Sequence, residues 1–271
     1  MHTSIEAMFK GVLHMHSTYS YDGKVSLADL KKLLQANGVA FCCMTEHTDE
    51  LTAEAAAAFV AECRALSDEQ FVFIPGFEVP YKDTHVLHIG GEKFLGQTAD
   101  ATQLLAWKET AALVVLAHPV RNHFEVDESL LAVLDGVEVW NQQYEGKRAP
   151  RFRSLALLKT LKQQKPMFLA TGGLDLHRRE HFGTPQIEIE ADTLTEETII
   201  QKLKAGEFVI KGNQMELDAQ GVFIQGGGFG TRLQSAISIL TIGTGKFINA
   251  TLAQFGISLP KSLRQLIRAR V

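Results

Sequence analysis

Cysteine is scarce in this chain: among 271 residues there are three, Cys42, Cys43 and Cys63, and the first two are adjacent inside an apolar run. That arrangement excludes a disulfide framework and a C-x-x-C zinc knuckle, and makes a reducing, cytoplasmic compartment the expected one. Positive charge is short as well. With 27 Lys and Arg against 31 Asp and Glu, the formal net charge of -4 gives no global attraction for nucleic acid. Such a role would fall to the local basic run Lys147, Arg148, Arg151 and Arg153, where Tyr144 and Phe152 are the only stacking platforms. Uninterrupted apolar stretches are missing too. The longest candidate, Ala236 to Ile257, is broken by Gly243, Gly245, Lys246 and Asn249, so a membrane span is not expected. The segment Met1 to Lys10 lacks the basic start, apolar stretch and cleavage site of a secretory leader. There is no internal repeat and no low-complexity linker.

What the chain does have is alternation. Short apolar runs read as strands at Gly11–His16, Val39–Thr45, Phe71–Glu78, His85–Ile89, Leu113–Ala117, Gly136–Trp140, Pro166–Ala170 and Phe208–Lys211. Helical patterns separate them, opened by Ser26 with Asp29, by Thr52 ahead of an alanine-rich run, and by Thr195 with Glu196 and Glu197. Strand–helix alternation predicts an α/β fold with parallel strands and helical crossovers.

Ten histidines are present, and their placement is more telling than their number. His14 and His16 close one strand, two residues apart, so both imidazoles share a face, and Asp22 follows in the loop. Asp175 and His177 repeat that spacing after another apolar run. His47, Glu78, His85, His88, His118 and Asn141 also fall at or just beyond strand ends, whereas His2, His123 and His181 have no such placement. Each residue alone reads as an ordinary polar strand end, and Asp22-Gly23 as a turn. Together they offer imidazole and carboxylate donors for two or three divalent ions, with Zn, Mn or Fe favoured over Ca. Strand ends converge in a closed α/β barrel, which makes a barrel the expected architecture.

The ordered set H-x-H-S-x-x-S-x-D-G (from His14), T-E-H (Thr45 to His47), G-x-E (Gly76 to Glu78), H-x-x-G (His88 to Gly91), A-H-P (Ala117 to Pro119) and G-x-D-x-H (Gly173 to His177) resembles the PHP superfamily, the polymerase and histidinol phosphatase domain. The likeness runs from about Gly11 to about Lys211. It implies a distorted (β/α)7 TIM-like barrel with a trinuclear metal centre, a barrel domain over 1–212, and a small C-terminal extension over 213–271. By that resemblance His14, His16, Glu78 and Asp175 hold one ion. Glu78 bridges to a second, completed by His118 and by His88, with His85 as the alternative to His88; Asp22, His47 and His177 hold the third. The family usually has Thr-Asp-His where this chain has Thr45-Glu46-His47, which touches hydrogen bonding around the ligand rather than the ligand itself.

Ions sharing a carboxylate bridge lower the pKa of a bound water and clamp phosphoryl oxygens, so hydrolysis of a phosphoester by a bridging hydroxide is the expected reaction. Asp22, His177 and Arg121 are the candidate catalytic groups, and Arg121, Asn141 and Arg178 the candidate substrate contacts, guanidinium being suited to phosphate. The expected partner is a small phosphorylated substrate or nucleotide. An exonuclease acting on single strands is the alternative reading, and a non-catalytic metal-binding scaffold a weaker one; an amidohydrolase is disfavoured because no strand end carries a suitable lysine. The extension holds a hairpin near Gln220–Gln225 and a basic terminal helix with Lys261, Arg264, Arg268 and Arg270, expected to pack on the barrel or on a second protomer.

Overall fold

In the computed structural model, which describes residues 6–97, 100–228 and 230, the expected helices form where their caps predict them. The chain runs β1 (Ala7–Met15), α1 (Leu27–Gln35), β2 (Phe41–Met44), β3 (Glu46–His47), α2 (Ala53–Leu66), β4 (Val72–Ile74), β5 (Gly76–Tyr81) and β6 (Thr84–Ile89). It continues with α3 (Ala101–Thr110), β7 (Leu113–Leu116), α4 (Glu128–Leu131), β8 (Gly136–Asn141), α5 (Gln142–Glu145), α6 (Phe152–Gln164) and β9 (Leu169–Gly173). The last elements are β10 (Gln186–Ala191), α7 (Glu196–Ala205), β11 (Val209–Lys211), β12 (Glu216–Asp218) and β13 (Phe223–Gln225). Ser26, Thr52 and Thr195 each accept a backbone N–H three residues on, satisfying donors the first turn leaves unpaired. Leu27, Leu30 and Leu34 bury one stripe of α1 against the sheet.

The strands form a mixed α/β fold of two sheets, and no single closed ring joins them among the described residues. One sheet has the order β13-β12-β11-β10-β1-β2-β4, the other β3-β5-β6-β7-β8-β9. Pairs β1–β2, β2–β4, β3–β5, β7–β8 and β8–β9 are parallel as expected. The pairs β5–β6, β6–β7 and β1–β10 are antiparallel; β5 and β6 are joined by a tight turn at Lys82 and Asp83, whereas α3 lies between β6 and β7 and β10 returns to β1 from far along the chain. The run Phe71–Glu78, expected as one strand, breaks at Pro75, which has no N–H to give a ladder. Its two halves then serve different sheets.

Backbone hydrogen bonds link the sheets at one end. Leu174 N–H donates to Leu13 O at 3.0 Å, His16 N–H to Leu176 O at 3.0 Å, and Thr45 N–H to Met15 O at 2.9 Å. These bonds draw three separate strand ends together. The boundary expected at 212 falls between β11 and β12, which pair in register (Val209 with Asp218, Ile210 with Leu217), so the sheet continues past it. The expected hairpin is the β12–β13 pair. The basic terminal helix lies outside the described residues.

Candidate metal centre and its cavity

Glu78 is the hub. It sits on β5 with about 1% of its surface exposed, and its two oxygens face different partners. Oε2 lies 3.0 Å from His14 Nε2, 3.2 Å from His16 Nε2 and 3.4 Å from His47 Nδ1. Oε1 lies 2.9 Å from His118 Nε2 and against His85 Nδ1. Asp175 adds Oδ1 at 3.7 Å from His14 and 3.6 Å from His16. At the outer edge His177 Nε2 is 3.1 Å from Asp22 Oδ2 and 3.3 Å from His47 Nε2. Four sets of donors fall within ligating reach of one another: His14–Glu78–His118, His14–His16–Asp175, His16–His47–His177 and His47–Glu78–His85.

Each ligand arrives for a local reason. The β1 end and the chain after β9 are tied by the bonds to Leu13 and Leu176, so His14 and His16 meet Asp175 and His177. His47 and Glu78 are directly paired across β3 and β5. Paired residues share a face, and Glu78 pairs with Leu87, so His85, two residues away on β6, projects to the same side.

That register corrects the choice between the two β6 histidines. His88 pairs with Phe77 and faces away from the cluster. Its Nε2–H donates to Trp107 O at 2.8 Å, its ring meets the Trp107 indole edge-on at 4.5 Å, and burial lowers its pKa to about 4, keeping it neutral. The glycine of H-x-x-G has a packing role here: a Cβ on Gly91 would stand 1.7 Å from the His88 ring. Of the two, His85 is the one that reaches the Glu78 carboxylate.

The electrostatics fit a cationic group. Burial acts to lower the His14 pKa, but Glu138, Glu78 and Asp175 together raise it well above the ordinary value. Burial and the neighbouring His47 and His177 lower His16 to about 3. Burial opposes ionisation of Glu78, yet His14, His118 and His16 hold it well below the carboxylate range. Among the described residues, His16 Nε2, His47 Nδ1 and Asp22 Oδ1 are buried without a hydrogen-bond partner, which is the condition of a ligand atom. Nitrogen and carboxylate donors of this kind suit divalent transition ions.

Further groups support the ligands. Glu46 accepts from Ser17 N–H at 2.9 Å and from Ser20 O–H, while Ser20 Oγ accepts from His47 N–H at 2.9 Å. The longer side chain at the T-E-H position thus reaches the Ser17–Ser20 loop, and burial raises its pKa to about 7. Asn141, expected to contact substrate, is fully buried and off the cavity wall; its amide donates to Glu138 at 3.0 Å.

A cavity of about 630 Å³ opens over the cluster. Arg121 and Arg178 line it as expected, and Arg121 Nη1 lies 2.9 Å from His85 Nε2. Tyr21, Gln143, Tyr144 and His181 also face it. Tyr21 and Gln143 carry no spacing signal in the sequence, Tyr144 is expected from it only as a stacking platform, and His181 is expected to have no role at the site. Tyr21 stacks on His47 at 5.1 Å and Tyr144 lies over His118 at 4.7 Å, so aromatic rings cover two of the imidazoles.

The sequence matches the PHP domain family over residues 13–166, more than half of the chain. A probable histidinol-phosphatase from Thermotoga maritima is 32% identical over 69 residues, which make up 26% of this chain and 30% of that protein. The chain therefore matches less than a third of that relative's length. Among solved structures, a two-domain protein from Bacteroides vulgatus containing a predicted PHP-like metal-dependent phosphoesterase superposes with a TM-score of 0.58 at 15% identity. The superposition covers 78% of this chain and 67% of that one, a likeness of fold. Among the described residues no helix is long and apolar enough to cross a membrane.

Proposed function

The chain belongs to the PHP domain family, and on that premise we propose that it is a metal-dependent phosphoesterase acting on phosphomonoesters or nucleotide-type esters. The observation that carries this reading is the bridging position of Glu78, with separate imidazole sets on its two oxygens. His14, His16, Asp22, His47, Glu78, His85, His118, Asp175 and His177 would hold two to three ions, of the Zn, Mn or Fe type. Bound there, such ions supply an activated water and neutralise charge on phosphoryl oxygens. Arg121 and Arg178 project into the same cavity from opposite chain segments, and we assign them to binding the phosphate group. Asp22 and His177, the most exposed of the donors, are assigned to the reacting side of the centre. The two sheets are read as a TIM-like barrel opened along its seams, working in the cytoplasm.

The test is a screen of phosphomonoesters, nucleotides and short oligonucleotides with Mn, Zn or Mg added separately. Phosphate release that disappears in Asp175→Ala, and a KM raised about tenfold or more in Arg121→Ala, are expected, since a charge-assisted bond contributes roughly 1.5–3 kcal/mol. Mononucleotide release from oligonucleotides, without turnover of monoesters, would replace this reading with the exonuclease one. Full metal occupancy with no turnover on any phosphoester would overturn both.

A further inference from the structure

Glu138 lies in the middle of β8 and belongs to none of the metal-ligand motifs, yet it is bonded to two of the segments that carry ligands and linked to a third through Asn141. Its Oε1 accepts from His14 Nδ1–H at 2.8 Å. Its Oε2 accepts the backbone N–H of His118 at 2.7 Å and the Asn141 amide at 3.0 Å. The same Asn141 amide reaches Asp175 Oδ2 at 3.4 Å. Asn141 is itself fixed, since its Oδ1 accepts from Gln143 N–H at 3.0 Å and its backbone N–H donates to Glu145 at 3.1 Å.

The three residues tied in this way share a second property. His14, His118 and Asp175 have φ of 60°, 24° and 51°, in the left-handed region where a side-chain-bearing residue is strained by roughly 1–3 kcal/mol. Such conformations persist only when neighbours hold them, and Glu138 with Asn141 is bonded to each. Space for the carboxylate comes from Gly173, where a Cβ would stand 2.0 Å from Glu138 Oε1 and 2.7 Å from the His14 Cβ.

We propose that Glu138, anchored by Asn141, is the positioning residue of the metal centre: it keeps the His14 proton on Nδ1, so that Nε2 faces Glu78 and Asp175, and clamps the His118 turn. The inference rests on the metal-centre reading of the site and not on the choice of substrate. A carboxylate is needed because all three partners are donors, and only an acceptor on both oxygens satisfies them. Glutamine in its place presents an NH2 either to the His118 N–H and the Asn141 amide or to His14. In the second case the imidazole proton moves to Nε2 and removes the ligating lone pair.

Zinc affinity of the metal-stripped full chain, read by titration calorimetry, tests this beside thermal melting of the same samples. Glu138→Gln is expected to bind zinc about 10–100-fold more weakly, while the metal-free protein still melts cooperatively near the wild-type temperature. Glu138→Asp, which keeps two acceptors at shorter reach, is expected to recover part of the loss. Wild-type zinc affinity in a folded Glu138→Gln protein overturns the proposal. If that variant does not fold, Asn141→Ala takes its place, with a several-fold loss expected and unchanged affinity overturning. Phosphatase activity is not a readout here, so a wrong substrate class leaves this result intact, whereas failure of the wild-type chain to bind zinc would sink the metal-centre reading first.

Discussion

At the scale of single residues, the two histidines of β6 show how three positions of spacing separate two jobs. His85 faces the carboxylate hub with Arg121 beyond it, and His88 is a neutral packing group whose donor ends on a carbonyl. Their alanine variants should therefore fail differently. His85→Ala is expected to lose bound metal but, compared with the wild type in metal-free form, to lose little stability, as a polar side chain at a cavity wall. His88→Ala is expected to keep its metal content and lose about 1–3 kcal/mol of stability, from the lost buried hydrogen bond to Trp107 O and a void against the Trp107 indole. Elemental analysis of dialysed protein beside urea melts separates them. The reverse pattern, metal lost with His88 and stability with His85, would return the ligand role to His88.

Short elements carry their own electrostatics, and α5 is the clearest case. Its last residue, Glu145, is buried with Ser154 O–H and Asn141 N–H donating to its carboxylate, and burial raises its pKa to about 8 despite those bonds and Arg151. An unfolded carboxyl titrates near its ordinary 4.5, so between about 4.5 and 8 the folded chain holds a proton that the unfolded chain has released. This contribution to stability is complete below the lower value and is lost as pH rises toward the upper one. Glu145→Gln keeps an acceptor for Asn141 and cannot ionise. It is expected to flatten the decline in melting temperature between pH 5 and pH 8.5, measured on metal-free protein so that ligand protonation is common to both chains. An unchanged slope would show that Glu145 is ionised throughout. The element scale also marks what was legible in the sequence. Alternation and caps located α1, α2, α7 and most strands, since those signals are local. Strand β10, in the alternating run Gln186–Ala191, was passed over as a strand although its period of two is plain, and its antiparallel return to β1 is a tertiary choice. Most ligands stood out because they recur at strand ends. Glu138 did not: one acid inside Gly136–Asn141 looks like any half-exposed strand position, and only the fold brings His14 to it.

For the whole molecule, the decisive fact is that the donors come from both sheets. His14 belongs to β1 of the seven-stranded sheet and His16 directly follows it, whereas Glu78 and His85 lie in the six-stranded one, and His118 and Asp175 follow two of its strands. Among the described residues the backbone joins these sheets by a few hydrogen bonds at the site end and by one from Ala170 N–H to Ala219 O at 2.8 Å, and not by a continuous ladder. Ions coordinated across the seam would thus act as cross-links on the folded state alone, because the unfolded chain cannot assemble nine scattered ligands. By mass action, free metal at a hundred times its dissociation constant adds about 2.7 kcal/mol. For a chain of this size that corresponds to a rise in melting temperature of roughly 5–10 °C. Exhaustive chelation should lower the wild-type melting temperature by about that amount, and added Mn or Zn should restore it. The same treatment should leave a His16→Ala, Glu78→Ala double variant unmoved, since these two residues between them belong to all four donor sets. Equal sensitivity of the two proteins to chelator would place the stabilising metal away from this cluster and detach the stability of the seam from its chemistry.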